Sequence, residues 1–373
     1  MKKKIIFLVN MDSFFISHRF QIATNLLQNG FEVHIATEFT SYKNFLIKKG
    51  FKTHDINFNR NSTNIFKAFA CILQIFFLIN KIKPKILHTI SLKPSIFGGF
   101  IAFFLPIKLN VISITGLGSM FLGYGLIDRI RKFIFNLLLR IIFLNPKLKI
   151  ILQNKSDLNY LIKNTYLNKN KVEIIKGSGV DLNRFKFSKL NGKIPKIIMA
   201  SRLIADKGVY EYIESIKYLK SCNFKGQFYL VGDIDFDNPS AIPKSHIEFW
   251  KKNKIVKYFP HKIDIKNIIK KSTIIVLPSY REGFPKILME AAAIGRPVIT
   301  TNVPGCKDAV INNVTGLLVP PKNYFKLAKA IMRLSKNNRL LKKIGFAARK
   351  HAVKNFDVNH VVTKHFSIYN SVR

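Results

Sequence analysis

Two carboxylates with seven residues between them, Glu282 and Glu290, stand in the stretch Leu277-Pro-Ser-Tyr-Arg-Glu-Gly-Phe-Pro-Lys-Ile-Leu-Met-Glu-Ala-Ala-Ala-Ile-Gly-Arg-Pro-Val298. The pattern predicts a strand ending at Pro278, a loop carrying Glu282, Gly283 and Phe284, and a helix opening near Pro285, a residue suited to a first helical position. One carboxylate then sits in a loop and the other on a helix. Free amides at a helix start can hold an anion or a sugar hydroxyl. A carboxylate such as Glu290 can accept from two vicinal ribose hydroxyls, as the acidic residue of dinucleotide folds does. Taken alone, two glutamates at this spacing also fit a solvated surface helix.

A second group is Met199-Ala-Ser-Arg-Leu-Ile-Ala-Asp-Lys-Gly208. Arg202 offers a planar fork of donors and Lys207 a point charge, both just after an apolar run that reads as a strand. Such a pair suits a diphosphate, whose negative charge grows as it becomes a leaving group. Two solvated basic residues are the plainer alternative, and the position after a strand is what raises the pair above it.

The elements that must position these residues are legible as apolar, β-branched runs bounded by turn residues. In the first half they fall at 4–9, 31–37, 51–56, 85–90, 110–115, 149–153 and 171–176, with a helix from a Ser17 cap to Asn29 closed by Gly30. In the second half they fall at 194–200, 227–231, 255–259, 273–277, 297–301 and 317–319. Short buried runs separated by helical stretches predict parallel βαβ units. The polar, Gly- and Pro-bearing segment 187–195 reads as a linker. The expectation is an α/β chain of two Rossmann-like, doubly wound domains, 1–187 and 188–354, with ligands at the carboxyl ends of the strands in a facing cleft. Residues 355–373 read as a further helix.

Length and composition agree with two cores. The chain has 373 residues, 48% of them hydrophobic, which excludes intrinsic disorder. Lys plus Arg number 62 against 20 Asp plus Glu, a net charge of +42 that favours anionic partners. Phe, Ile, Asn and Lys, all encoded by A/T-rich codons, are abundant, so genome composition is a second source of that excess. Cys71, Cys222 and Cys306 lie far apart with no metal-ligand spacing, which speaks against a zinc ribbon or a disulfide framework. The apolar run Ile5 to Val9 follows three lysines but ends at Asn10 and Asp12 without a small-residue cleavage site, so a buried first strand is expected rather than a signal peptide. No membrane-spanning helix is expected, since the run from Ile65 to Asn80 carries Lys67 and Gln74.

With Glu282…Glu290 as E-x₇-E and Arg202…Lys207 as R-x₄-K, the chain resembles the family-4 retaining glycosyltransferases of GT-B fold. Within that family it is similar to the bacterial enzymes that extend sugars on undecaprenyl diphosphate. The likeness also rests on Thr115-Gly-Leu-Gly-Ser-Met-Phe121, Gly179-Val-Asp-Leu-Asn-Arg-Phe185, Leu230-Val-Gly-Asp233 and Asp237-Asn-Pro239. The resemblance implies that Arg202 and Lys207 bind the donor diphosphate and that Glu290 holds the ribose. It gives the transferred sugar to Glu282, with the backbone of Gly283 and Phe284 at the helix start by Pro285. It implies further that the C-terminal helix crosses back onto the first domain, and that the α configuration is retained. Many members carry a His-Gly or His-Asp pair where this chain reads Thr115-Gly116-Leu117-Gly118, so the usual histidine contact to the donor sugar is missing there; the lipid-linked subgroup also reads GLG. From physics alone, Gly116 and Gly118 permit close backbone approach at a strand end, and they are taken as a cleft-lining loop on the donor side.

On the acceptor side the candidates are His18 and Arg19, after the first strand, and His88 and Lys93, after the strand at 85–90. Each has a plainer reading, an exposed helix start for the first pair and a core histidine for His88. His261 lies where relatives frame the nucleotide base with backbone atoms. Arg129 to Phe143 mixes four basic residues with large apolar ones, the make-up of a helix in a membrane interface, and the apolar pieces 65–80 and 96–105 belong to the same domain. A core helix with a basic outer face is the alternative.

These readings converge on a glycosyltransferase that moves a sugar, an N-acetylhexosamine above all, from a UDP-sugar to a glycan on undecaprenyl diphosphate. It is expected at the cytoplasmic face of the membrane, in peripheral contact with an anionic surface. No metal or other cofactor is expected, because the basic pair does the work of a divalent ion. The Asp-x-Asp spacing Asp233-Ile-Asp235 reads as a polar loop with too few oxygen ligands. A UDP-sugar 2-epimerase of the same fold is the rival enzyme, separated by acceptor-dependent release of UDP. A nucleic-acid binder is the rival class. Basic residues spread along the chain, not gathered in a stripe with aromatics, speak against it.

Overall fold

The computed structural model describes residues 2–58, 64–118, 121, 123, 125–190, 192, 194–260 and 264–371. They form two compact units, one of residues 1–178 and 358–373, the other of 179–357.

The N-terminal unit holds seven strands, β1 (Lys4–Met11), β2 (Glu32–Glu38), β3 (Lys52–Asp55), β4 (Ile86–Ile90), β5 (Leu109–Ile114), β6 (Leu148–Leu152) and β7 (Val172–Ile174). They pair in the order β3-β2-β1-β4-β5-β6-β7, every pair parallel. β4 and β5 are buried along their whole length, which is why they read as near-continuous apolar runs. One face of the sheet packs Ile5, Phe7 and Val9 under the helices Asp12–His18, Phe20–Gln28 and Val358–Asn370. The other packs Ile6, Leu8 and Leu87 under Ile65–Ile82 and Leu92–Ile101, and Ile112 and Ile114 under Leu126–Phe143.

The C-terminal unit repeats the scheme with β8 (Lys196–Ala200), β9 (Gln227–Val231), β10 (Lys257–Phe259), β11 (Ile274–Leu277), β12 (Val298–Thr301) and β13 (Gly316–Val319). The order is β10-β9-β8-β11-β12-β13, again all parallel. β8 therefore lies between β9 and β11, where the strand order reverses, and such a switch point opens a crevice at the carboxyl ends.

Four details depart from the sequence reading. Residues 179–187, expected with the first domain, pack with the second: the Val180 amide donates to the Phe356 carbonyl at 2.7 Å, and Phe185 is buried in the C-terminal core. The first helical segment begins at Asp12, not Ser17, and the chain kinks at Arg19 (φ −131°) before resuming at Phe20. Pro285 caps its helix from outside, and the helix runs Lys286–Ile294. By length and composition, Ile65–Ile82 is apolar enough to cross a membrane, although none was expected; it nevertheless buries Cys71, Ile75, Ile79 and Ile82 in the domain core.

Candidate functional site

Within the C-terminal unit the neighbouring strands β8 and β11, in register at Met199 and Val276, deliver two loops side by side. The first runs from Ser201 through Arg202 to a short turn at Ala205–Lys207, and the second from Pro278 to Phe284. Gly208 joins them. Its φ is +76°, and a Cβ there would lie 2.2 Å from the Pro278 carbonyl oxygen, so only glycine lets the loops close. The Tyr280 amide then donates to the Asp206 carbonyl at 2.9 Å.

That closure sets Lys207 Nζ 2.5 Å from Glu282 Oε1, with both side chains nearly buried. Ser279 Oγ donates to the same oxygen at 2.7 Å, and Thr301 Oγ1 in turn donates to the Ser279 carbonyl. Arg202 is held on the other side. Gly232, at φ +143°, has no room for a Cβ against the Ser201 carbonyl, and this lets the loop after β9 close on the loop after β8. Asp235 Oδ2 in that loop accepts from the Arg202 guanidinium at 2.5 Å. The Asp233-Ile-Asp235 spacing is thus part of an Arg partnership. Among the described residues no group of three or more His, Cys, Asp or Glu could hold a metal ion.

Glu290 lies on the helix Lys286–Ile294, 6% exposed, with Lys286 Nζ 3.7 Å away. Burial pushes its carboxyl above the usual range, against the pull of Lys286 and Arg184. Gly283 is buried, and the Phe284 side chain is part of the core, edge-on to Phe356 at 5.6 Å. What this segment can present to a ligand is therefore its backbone. The unit joins Lys207 to Glu282 directly, holds Arg202 on the loop of Lys207 against Asp235, and carries Glu290 on the helix that follows Gly283, Phe284 and Pro285.

Gly116 and Gly118 follow β5 in the N-terminal unit. Both have positive φ (128° and 73°), but a Cβ at Gly118 would meet nothing within 4 Å, so the residue serves the backbone conformation and not a close approach. His18 stacks on Phe14 with ring centroids 4.1 Å apart, half-buried. Lys93 is half-buried near the Phe97 ring, and burial lowers its ammonium pKa.

Arg19 and His88 are not surface groups. His88 is fully buried, its Nε2 bonded with Ser113 Oγ and its Nδ1 with Tyr369 Oη, each at 2.7 Å, and burial holds its pKa far below the usual value. With both ring nitrogens engaged by the protein, His88 serves the interior and has none left for an acceptor. Arg19 is 2% exposed, and burial lowers its guanidinium to about 10. His261 lies outside the described residues.

Sequence reading missed Ser279, the placement of Asp235 against Arg202, and Asp12. The Asp12 carboxylate is fully buried and accepts from the backbone amides of Thr40, Ser41 and Tyr42 at 2.8–2.9 Å, tying the loop after β2 to the end of β1. An acidic residue directly after an apolar strand was the available signal.

Both units resemble known glycosyltransferases. The model for group 1 glycosyl transferases matches residues 181–351, and the model for glycosyl transferase 4-like domains matches residues 4–145. The N,N'-diacetylbacillosaminyl-diphospho-undecaprenol α-1,3-N-acetylgalactosaminyltransferase of Campylobacter jejuni is 28% identical over 91% of each chain. The UDP-Gal:α-D-GlcNAc-diphosphoundecaprenol α-1,3-galactosyltransferase of Escherichia coli is 25% identical over 81% of this chain and 82% of its own. A glycosyltransferase structure from Rickettsia africae superposes with a TM-score of 0.76 at 24% identity, covering 100% of this chain and 98% of that one.

Proposed function

The chain belongs to the family-4 glycosyltransferases of GT-B fold, and from that premise we propose that it moves an N-acetylhexosamine from a UDP-sugar to a glycan on undecaprenyl diphosphate, with retention of the α configuration. The observation that carries this reading is the pair of strand-end cations, each facing a carboxylate, with the buried Glu290 on the helix that follows the Glu282 loop. The acceptor class is supported by what the Campylobacter and Escherichia relatives are named for, and the nucleotide by the latter's UDP-galactose.

In this mechanism the diphosphate takes Arg202 and Lys207 from Asp235 and Glu282. Glu290 accepts from the two ribose hydroxyls, and Glu282, freed of its lysine, accepts from hydroxyls of the transferred sugar. The bond from the sugar C1 to the β-phosphate oxygen breaks as the acceptor oxygen bonds C1 from the same face. The acceptor proton passes to the departing phosphate oxygen, so the products are the extended glycan and UDP. The negative charge growing on that phosphate is what the two cations stabilise, in place of a divalent metal.

The N-terminal unit supplies the acceptor side, where His18 and Lys93 are the remaining candidates. The enzyme works at the inner face of the cytoplasmic membrane and is held there peripherally.

The test is UDP release from a panel of UDP-sugars, with and without a polyprenyl-diphosphate-linked sugar, in metal-free buffer. Release from one donor that requires the acceptor and is lost in Arg202→Ala and Glu290→Ala supports the reading. Acceptor-independent turnover of a UDP-sugar to its epimer would replace it with the epimerase.

A further inference from the structure

A helix laid on a sheet ordinarily shows one apolar stripe inward and a polar face to water. Two helices of the N-terminal unit are apolar on both sides. Ile65–Ile82 buries Cys71, Ile75, Ile79 and Ile82, yet Ile65, Phe66, Phe69, Leu73 and Phe77 point to solvent, Phe66 at 84% exposure. Leu126–Phe143 buries Phe135, Leu139, Ile142 and Phe143, while Leu126, Ile130, Phe133, Ile134, Leu137 and Ile141 are exposed. Leu92–Ile101 lies between them and packs against both, so closely that a Cβ on Gly99 would stand 2.9 Å from Ile142. At its end Phe100, Phe103 and Phe104 are exposed as well. The three helices lie side by side on one unit, and each adds exposed apolar side chains to the same region, the make-up of an interaction surface.

The charge on these helices selects the occupant. They carry seven Lys or Arg and a single acid, Asp128, with Lys67, Arg129 and Arg131 exposed beside the apolar residues. A second copy docked across a two-fold axis would set these same cations against each other. An anionic lipid surface accepts both features, Phe and Leu at the acyl boundary and Arg and Lys at the phosphates.

We infer that the outer faces of Ile65–Ile82, Leu92–Ile101 and Leu126–Phe143 form one docking face that lies in the interface of an anionic bilayer, with the 65–82 helix along the membrane plane and not across it. Crossing would strip Cys71, Ile75, Ile79 and Ile82 from the core they share with β1 and β4. This deepens the membrane contact proposed above and rests on that reading for its purpose, bringing the enzyme to a lipid-borne acceptor. Its test needs neither donor nor acceptor.

The experiment is cosedimentation of the full chain with vesicles of phosphatidylcholine alone or mixed with phosphatidylglycerol. The face predicts binding to the mixed vesicles, weakened by salt and released by alkaline carbonate. The triple variant Phe66→Ser, Phe69→Ser, Phe77→Ser and the double variant Arg129→Glu, Arg131→Glu should each weaken binding by about tenfold or more. Circular dichroism and UDP binding should stay as in the wild type, since the altered side chains are exposed. Absence of wild-type binding, or binding that both variants retain, overturns the proposal. Resistance to carbonate overturns the in-plane placement. A dimer seen by light scattering and abolished by the phenylalanine variants would assign the face to a second copy instead. None of these readouts depends on transfer, so the two readings fail separately.

Discussion

Lys207 and Glu282 meet as an ion pair, Nζ 2.5 Å from Oε1, with Ser279 Oγ on the same oxygen at 2.7 Å. Arg202 is paired in the same way with Asp235. Both strand-end cations thus have carboxylate partners before any ligand arrives, and on the proposed function a bound diphosphate takes their place. In the proposed mechanism the two displaced carboxylates have different fates: Glu282 takes a second task with the sugar, whereas Asp235 only competes. Asp235→Asn is predicted to tighten UDP binding about two- to fivefold, the worth of a partly exposed ion pair, measured by calorimetry. Weaker binding in the variant would mean instead that Asp235 orients Arg202 for the ligand.

Lys207→Ala removes a cation from the leaving group and leaves Glu282 with Ser279 alone. The expected loss is about 10²–10³-fold in kcat, the cost of removing one preorganised stabilising donor, with KM for the acceptor little changed. Steady-state kinetics on the lipid-linked acceptor check it; a change confined to KM would assign Lys207 to ground-state binding only.

Gly208→Ala tests how the site is assembled without touching a charged residue. The added methyl would stand 2.2 Å from the Pro278 carbonyl oxygen at a φ of +76°. The loops must part, at a cost of about 1–3 kcal/mol in stability and with loss of UDP binding. A thermal melt and a UDP titration on the same variant would show it. Wild-type affinity would mean that Lys207 and Glu282 need not be adjacent.

Acid should loosen the N-terminal unit first. Burial is the main cause lowering the pKa of four of its histidines, His34, His54, His88 and His365, with His54 near about 4 and His365 near about 3. An unfolded histidine titrates near about 6.5, so below that pH the unfolded chain binds protons that the folded unit refuses. Stability contributed by these neutral rings is present above about pH 6.5 and falls as the pH drops toward the folded values. Denaturant melts between pH 7 and 4 should show this loss, and His54→Gln should flatten part of it. An unchanged slope in that variant would contradict the assignment.

Asp12→Asn should destabilise the loop at 40–42. Burial alone would raise the Asp12 pKa, but amide bonds from Tyr42, Ser41 and Thr40 and the Thr40 hydroxyl together hold it below the ordinary aspartate range. Its contribution is therefore present above the unfolded carboxyl pKa and is lost as pH falls through the lower folded value. Charge-assisted bonds of this kind are worth about 1.5–3 kcal/mol, so a loss of that size at pH 7, read from denaturant melts, is expected. A loss that persisted undiminished at pH 2 would argue for steric disruption instead.

The inner strands, such as β4, β5, β11 and β12, were legible as apolar runs because parallel strands buried on both faces leave little polar signal inside them, whereas the edge strands β3, β7 and β10 are short, partly exposed and carry polar residues. The placement of Arg202, Lys207 and Glu282 in loops after strands, and of Glu290 within the helix that follows, was legible from local spacing. What escaped depends on neighbours remote in sequence. Ser279 matters through Glu282 and Lys207 together, and Asp235 through Arg202, 33 residues away. His88 looks like a strand-end ligand until Tyr369, 281 residues on, covers it. The boundary expected at 187 fell late because residues 179–187 pair with Phe356 and the core behind it, which no local composition marks.

The most direct measurement is mass spectrometry of an undecaprenyl-diphosphate-linked sugar after incubation with the protein and each UDP-N-acetylhexosamine in turn, without added metal. The account predicts that the acceptor gains one N-acetylhexosamine in step with UDP formation, and that Lys207→Ala and Glu290→Ala abolish the gain. UDP formed without a heavier acceptor, or an acceptor that grows equally well with Lys207→Ala, would contradict it.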